Sequence, residues 1–251
     1  MTKIALVTGA SAGFGQAIVR QLVTDGYKVI ACARRFEKLQ SLASSLGSDK
    51  VYPLQMDVSV SDKIDAALEN LPQDWQKIDL LVNNAGLALG LDKAYEADFS
   101  DWLTMINTNI IGLTYLTRQL LPQMVKRNSG MIITLGSTAG TIPYPGANVY
   151  GASKAFVKQF SLNLRADLAG TKIRVTNIEP GLCEGTEFSN VRFKGDDERA
   201  EKLYEGAHAI TSEDIANTVS WVASQPEHVN INRIEIMPVS QTFGPQPVYR
   251  D

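Results

Sequence analysis

The sequence predicts an α/β domain built on a doubly wound parallel sheet with helices on both faces. Two patterns predict it. Seven short apolar runs, rich in β-branched residues, alternate with six longer amphipathic stretches; most runs are continuously apolar, as strands covered on both faces must be. A glycine-rich turn then joins the first run to the first amphipathic stretch. Strand–helix alternation of this kind implies right-handed crossovers between parallel neighbours.

In chain order, strand Ile4–Thr8 leads into helix 13–26, and Lys28–Ala33 into helix 36–46. Val51–Met56 precedes helix 60–70, and Leu80–Asn83 precedes a long helix, 99–127. Gly130–Gly136 is followed by helix 150–169, Lys172–Glu179 by helix 212–224, and Arg233–Met237 closes the series. The interval of about 181–210 reads as a substrate loop, and the tail 243–251, with its two prolines, as lacking regular structure.

Composition narrows the function classes. A length of 251 residues with 44% hydrophobic residues suits one domain, 1–251, with a substantial core. A formal net charge of -3 gives no reason to expect a nucleic-acid or membrane partner. No apolar run approaches the ~18 residues of a membrane span, and no leader-like segment opens the sequence. A cytoplasmic protein is expected. Cys32 and Cys183 lack metal-ligand spacing, and His208 and His228 stand apart from them, so neither a metal site nor a disulfide framework is expected.

The first strand ends in Thr8-Gly9-Ala10-Ser11-Ala12-Gly13-Phe14-Gly15, and a helix follows at once. A β-carbon at Gly9, Gly13 or Gly15 would block a tight turn or the approach of a pyrophosphate. The helix N-terminus offers free N–H groups and partial positive charge to that anion. A glycine triplet in this position marks a dinucleotide site. The second strand ends in Ala33-Arg34-Arg35, with no acid to grip ribose hydroxyls. A carboxylate would repel a 2′-phosphate, whereas a guanidinium pairs with it, so NADP(H) is expected rather than NAD(H). Asp57 and Val58, after the third strand, are placed to meet the adenine.

Tyr150-Gly151-Ala152-Ser153-Lys154 puts a phenol and an ammonium four residues apart, on one helix face. A free tyrosine, with a pKa of ~10, is a poor base at neutral pH. A nearby ammonium is expected to lower it. Tyr150 then takes a proton from an alcohol as hydride leaves, or donates one to a carbonyl in reverse. Ser137, ending the fifth strand, is placed to hold the substrate oxygen.

Gly9–Gly15, Asn83-Asn84-Ala85-Gly86, Asn109, Ser137, Tyr150 with Lys154, and Pro180-Gly181 occur in the order found in the short-chain dehydrogenase/reductase family, which the sequence resembles over nearly its whole length. The resemblance implies a seven-stranded Rossmann-type sheet and an Asn109–Ser137–Tyr150–Lys154 tetrad, with Asn109 holding a water in a proton relay linked to Lys154. It also implies cofactor contacts at Ser11, Phe14, Asn84, Ala85, Gly86, Pro180, Gly181, Leu182, Thr186 and Phe188, besides Tyr150 and Lys154. It further implies a homotetramer built on the long helices 99–127 and 150–169. The first of these carries Trp102, Ile106, Ile110, Leu113, Leu116, Leu120 and Leu121, a broader apolar face than one sheet needs.

The stretches Asn83–Gly90, Gly181–Asp196 and His228–Asn232 resemble more narrowly the NADP-dependent 3-hydroxy acid dehydrogenases of bacteria and yeast, also called serine dehydrogenases. That resemblance implies oxidation of the 3-hydroxyl of L-serine, L-allo-threonine, 3-hydroxyisobutyrate and related acids, and reduction of malonic semialdehyde. Such a substrate needs a cation beyond its reacting carbon. Arg192 and Lys194 flank Phe193 in the loop, and an extended segment would send both to one side. Arg192 is therefore the expected carboxylate partner, with Lys194 assisting, unless Glu184 or Glu187 absorbs the charge. Two other readings stand beside this one: a general carbonyl reductase of uncharged ketones, and a non-catalytic dinucleotide sensor. A sensor predicts damage to the tetrad, and all four members are present.

Overall fold

The computed structural model describes residues 2–244. Seven strands, β1 (Ile4–Thr8), β2 (Lys28–Ala33), β3 (Val51–Gln55), β4 (Leu80–Asn83), β5 (Gly130–Leu135), β6 (Ile173–Pro180) and β7 (Arg233–Ile236), form one sheet in the order β3-β2-β1-β4-β5-β6-β7. Every pairing is parallel. The alternation along β1 shows how both faces are used: Ala5 and Val7 join one hydrophobic layer, Ile4 and Leu6 the other. The first layer is covered by α1 (Gly13–Thr24), α2 (Phe36–Leu46) and α9 (Ser212–Ser224) through Ile18, Leu39 and Val219. The second is covered by α3 (Ser61–Glu69), α5 (Leu113–Arg127) and α6 (Asn148–Asp167) through Ile64, Leu116 and Leu164. The doubly wound class is as predicted.

The direction of winding reverses between β1 and β4. Helices following adjacent strands depart to opposite faces there, leaving a crevice at the carboxyl ends of the strands, the usual ligand position in open α/β sheets. Residues 9–15, 83–86, 137–154 and 180–195 all leave the sheet at this edge.

Two elements differ from the sequence reading. The helix expected at 99–127 is α4 (Phe99–Ile106), a π-helical segment (Asn107–Gly112) and α5 in succession. Gly112 sits so close to the Val58 carbonyl that any β-carbon would collide with it. This close approach accompanies the wider π turn, which carries Asn109 into the interior, only 1% exposed. The interval 181–210 is not one open loop. It contains α7 (Phe188–Arg192) and α8 (Asp197–Lys202), and a bridge between Cys183 and Ile210 closes it at the base. Of the expected irregular tail, Phe243 and Gly244 lack regular structure, while 245–251 lie outside the described residues. Among the described residues no helix is long and apolar enough to cross a membrane, and no group of three or more His, Cys, Asp or Glu is placed to hold a metal ion.

Candidate active site

The glycine turn has the geometry of a phosphate cradle. Gly9 and Gly13 have φ of 67° and 50°, values that L side chains rarely adopt. A β-carbon on Gly15 would collide with the Gly9 carbonyl oxygen, so the turn closes only with glycine there. The helix α1 that follows has no side-chain cap at Ala12 and no acid in its first turn. Its free N–H groups and dipole remain available to an anion. Asn84 braces the turn from β4: its Nδ2 donates to the Thr8 carbonyl at 2.8 Å, while the Asn84 and Ala85 N–H groups donate to Thr8 Oγ1 at 3.0 and 2.9 Å. These residues fit a dinucleotide pyrophosphate.

The arginines at the end of β2 flank this cradle. Arg35 donates from Nε and Nη2 to Ser11 Oγ at 3.2 and 2.9 Å, which ties the second strand to the glycine turn. It also pairs with Glu187 at 2.8 Å, and Lys38 joins the same carboxylate at 3.0 Å. Arg34 is exposed and close enough to Asp57 to help hold that carboxyl down. Burial pushes the Asp57 pKa up, but two hydrogen bonds from Ser59 outweigh it, and the group stays ionised.

At the floor of the crevice lie Tyr150, Lys154, Ser137 and Asn109. Tyr150 and Lys154 occupy adjacent turns of α6 and are 8% and 7% exposed. Lys154 Nζ lies 5.9 Å from the Tyr150 ring centroid and donates to the Leu135 carbonyl at 2.7 Å. The expected direction of the Tyr150 shift is overturned. Burial raises the phenol well above its ordinary value, opposed by the Ser137 hydroxyl and by the Arg192 guanidinium. Lys154 is not among the opposing charges. Burial brings the Lys154 ammonium down to about 8. The buried pair therefore disfavours charge on both members.

Asn109 is committed through its side chain. Nδ2 donates to the Leu87 carbonyl at 2.9 Å and to Ser153 Oγ at 3.0 Å, and Oδ1 accepts from the Leu87 N–H at 2.9 Å. A β-carbon on Gly86 would stand 3.3 Å from Asn109 Oδ1 and 3.4 Å from Lys154 Nζ, so the two groups meet across that glycine.

The segment after β6 crosses over this floor. Ser137 Oγ donates to the Pro180 carbonyl at 3.4 Å, and Gln241 Oε1 accepts from the Leu182 N–H at 2.7 Å. Thr186 lies against Gly13, 3.0 Å from where its β-carbon would stand. Phe188 packs on the Tyr150 ring with centroids 5.6 Å apart. Cys183 is partly buried, and its thiol is pushed up to about 12, so it stays neutral.

The expected extended run at 192–194 is not formed. Arg192 ends helix α7, and Lys194 follows with a φ of 53°. The two cations therefore diverge. Lys194 is exposed and pairs with Asp101 at 2.9 Å. Arg192 turns inward, 9% exposed, with its guanidinium carbon 5.5 Å from the Tyr150 ring centroid. Among the described residues no carboxylate pairs with it, since Glu187 is held by Arg35 and Lys38. The structure thus brings Arg192 to the crevice floor and leaves Lys194 on the surface.

Three further residues reach the site without a clear signal of their own in the sequence: Gly90 and Tyr144, whose carbonyl and hydroxyl accept from Arg192 at 3.2 and 3.0 Å, and Gln241. Tyr144 has no helical spacing to Tyr150, and Gln241 reaches the site only through the fold. An aromatic in the short interval between Ser137 and Tyr150 was the one available signal.

Comparison with known proteins agrees with this geometry. A family model described as short chain dehydrogenase matches residues 3–197. A probable NADP-dependent dehydrogenase of Haemophilus influenzae is 60% identical over 250 residues, covering 100% of this chain and 99% of that protein. An NADP-dependent 3-hydroxy acid dehydrogenase of Salmonella typhi is 59% identical over 247 residues, covering 98% and 99%. A solved structure of the closed form of serine dehydrogenase complexed with NADP+ superposes with a TM-score of 0.97 at 58% identity, covering 99% of this chain and 100% of that one.

Proposed function

The chain belongs to the short-chain dehydrogenase family, and from that premise we propose that it oxidises the 3-hydroxyl of small 3-hydroxy acids and catalyses the reverse reduction of the 3-oxo acids. It is an NADP-dependent oxidoreductase acting on CH–OH groups. The substrates of the proposal are L-serine, L-allo-threonine and 3-hydroxyisobutyrate in one direction, and malonic semialdehyde in the other. The observation that carries it is Arg192: beside Tyr150 its guanidinium is 9% exposed, and its Nη2 is buried without a partner among the described residues. Burying such a donor is costly unless a ligand acceptor meets it, and a carboxylate is the acceptor that matches its charge. A general reductase of uncharged ketones would leave that cation uncompensated. A non-catalytic sensor would have no use for the tetrad.

In this reading the bound NADP(H) supplies the hydride acceptor or donor. The glycine turn and the N-terminus of α1 would hold its pyrophosphate, Arg34, Arg35 and Ser11 would bind the 2′-phosphate, and Asp57 and Val58 would meet the adenine. Asn84, Ala85 and Gly86, with Pro180, Gly181, Leu182, Thr186 and Phe188, would supply its remaining contacts. Ser137 orients the substrate oxygen. Tyr150, a phenol protonated at neutral pH even before burial raises its pKa further, is placed to donate to a carbonyl oxygen. Oxidation needs positive charge near the phenol, and the Arg192 guanidinium acts in that direction. Asn109, its side chain held by Leu87 and Ser153, would hold a water of the relay linked to Lys154.

A substrate panel tests the function. With NADP+ the protein is expected to turn over L-serine, L-allo-threonine and 3-hydroxyisobutyrate well ahead of an uncharged secondary alcohol, and to favour NADP+ over NAD+. Equal efficiency on the uncharged alcohol would move the assignment to the general carbonyl reductase.

The same reading extends to assembly as a homotetramer. Phe99 (63% exposed), Leu103, Ile111 and Phe156 leave an apolar surface on α4, the π-helical segment and α6, and Phe156 stacks on Phe160 there. Light scattering at micromolar concentration is expected to give the mass of four 27.4 kDa chains. A mass of one chain would refute it.

A further inference from the structure

We propose that Tyr144 is a specificity-determining residue whose hydroxyl donates to the substrate carboxylate beside Arg192, the position that sequence reasoning gave to Lys194. This rests on the 3-hydroxy acid reading above. Arg192 Nε donates to the Gly90 carbonyl at 3.2 Å, and Nη1 donates to Tyr144 Oη at 3.0 Å. Nη2 is buried with no partner among the described residues, on a residue 9% exposed. The guanidinium carbon lies 5.4 Å from the Tyr144 ring centroid and 5.5 Å from that of Tyr150. The cation is thus held between the two tyrosines.

The Tyr144 hydroxyl accepts from Arg192, so its own proton is directed elsewhere, and no acceptor for it occurs among the described residues. Two donors, Nη2 of the guanidinium and the O–H of the exposed tyrosine that its Nη1 meets, are therefore left without an acceptor among the described residues, on a cation 5.5 Å from the Tyr150 ring centroid. A carboxylate has two oxygens and can accept from both. One cation and one neutral donor match a monoanion without excess charge.

The arrangement is rigidly framed. The Gly90 N–H donates back to the Arg192 carbonyl at 2.9 Å, which closes a two-bond clamp between the segments. The Tyr144 segment leans on the same platform: a β-carbon at Gly146, with φ of 80°, would collide with the Leu91 carbonyl, and Asn148 Nδ2 donates to the Asp92 carbonyl at 3.1 Å. Residues 90–92 therefore set the spacing between Tyr144 and Arg192.

The test compares L-serine with L-serinamide, which keeps the reacting carbon and lacks the carboxylate. In Tyr144→Phe the ratio of kcat/KM for serine over serinamide is expected to fall about tenfold, mainly through the KM for serine, the size expected for one hydrogen bond to a charged group. A double-mutant cycle with Arg192→Ala separates contact from positioning. If Tyr144 touches the carboxylate, Tyr144→Phe still lowers the ratio in the Arg192→Ala background. No further loss there means that Tyr144 only orients Arg192, and the proposal is overturned. An unchanged ratio in a wild-type background that does prefer serine also overturns it while leaving the 3-hydroxy acid reading intact. A wild-type protein with no preference for serine overturns that reading itself.

Discussion

Tyr150→Phe is expected to lower turnover of L-serine by about a thousandfold, within the range of about 10²–10⁴ that a positioned acid–base group contributes. The substitution removes one oxygen and keeps the ring. That ring is 8% exposed and packs on Phe188 at 5.6 Å, with the Arg192 guanidinium 5.5 Å away, so the apolar contacts persist. What is lost is the oxygen that takes the proton from the serine hydroxyl as hydride leaves. NADPH affinity, measured by fluorescence titration, is expected to survive, because the glycine turn and the β2 arginines are remote from the change. Turnover within tenfold of the unaltered protein would mean that another group moves the proton.

Arg192→Ala is expected to lower the serine-over-uncharged-alcohol ratio of kcat/KM by about thirtyfold or more. Truncating one partner of a buried, hydrogen-bonded charge pair typically costs about 2–5 kcal/mol, and about 1.4 kcal/mol corresponds to a factor of ten. The ratio is the informative quantity because Arg192 also clamps Gly90, through its side chain and its backbone. Loss of the side-chain half of that clamp would burden every substrate alike and cancel in the ratio. Equal losses on charged and uncharged substrates would show that Arg192 holds the loop, and the carboxylate site would have to lie elsewhere.

Much of the site was legible in the sequence because its determinants are local. Continuous apolar runs specify strands covered on both faces, and the parallel order follows from their alternation with helices. The Gly9–Gly15 turn is encoded within a few residues, since a β-carbon there meets neighbours in the same turn or in the adjoining Asn84 segment. The Tyr150–Lys154 spacing belongs to a single helix face.

What the sequence left open depends on residues far apart in the chain. The π-helical turn that buries Asn109 goes with Gly112 resting on Val58. Glu187 was a rival partner for Arg192 on sequence proximity, yet Arg35, 152 positions away, takes it. Arg192 and Lys194 diverge because α7 winds the chain just before them and Lys194 turns left-handed. Gly90, 102 positions from Arg192, then fixes where the guanidinium goes. The Tyr150 shift reversed for the same kind of reason: the ammonium four residues away is a local feature, but burial under Phe188 and the loop after β6 is a tertiary one, and desolvation outweighs it. By itself the sequence determined the sheet, the glycine turn and the helix face that carries Tyr150 and Lys154. The tertiary structure alone decided which cation turns inward beside Tyr150 and that burial opposes charge on the phenol, because both depend on what the packed chain removes from water.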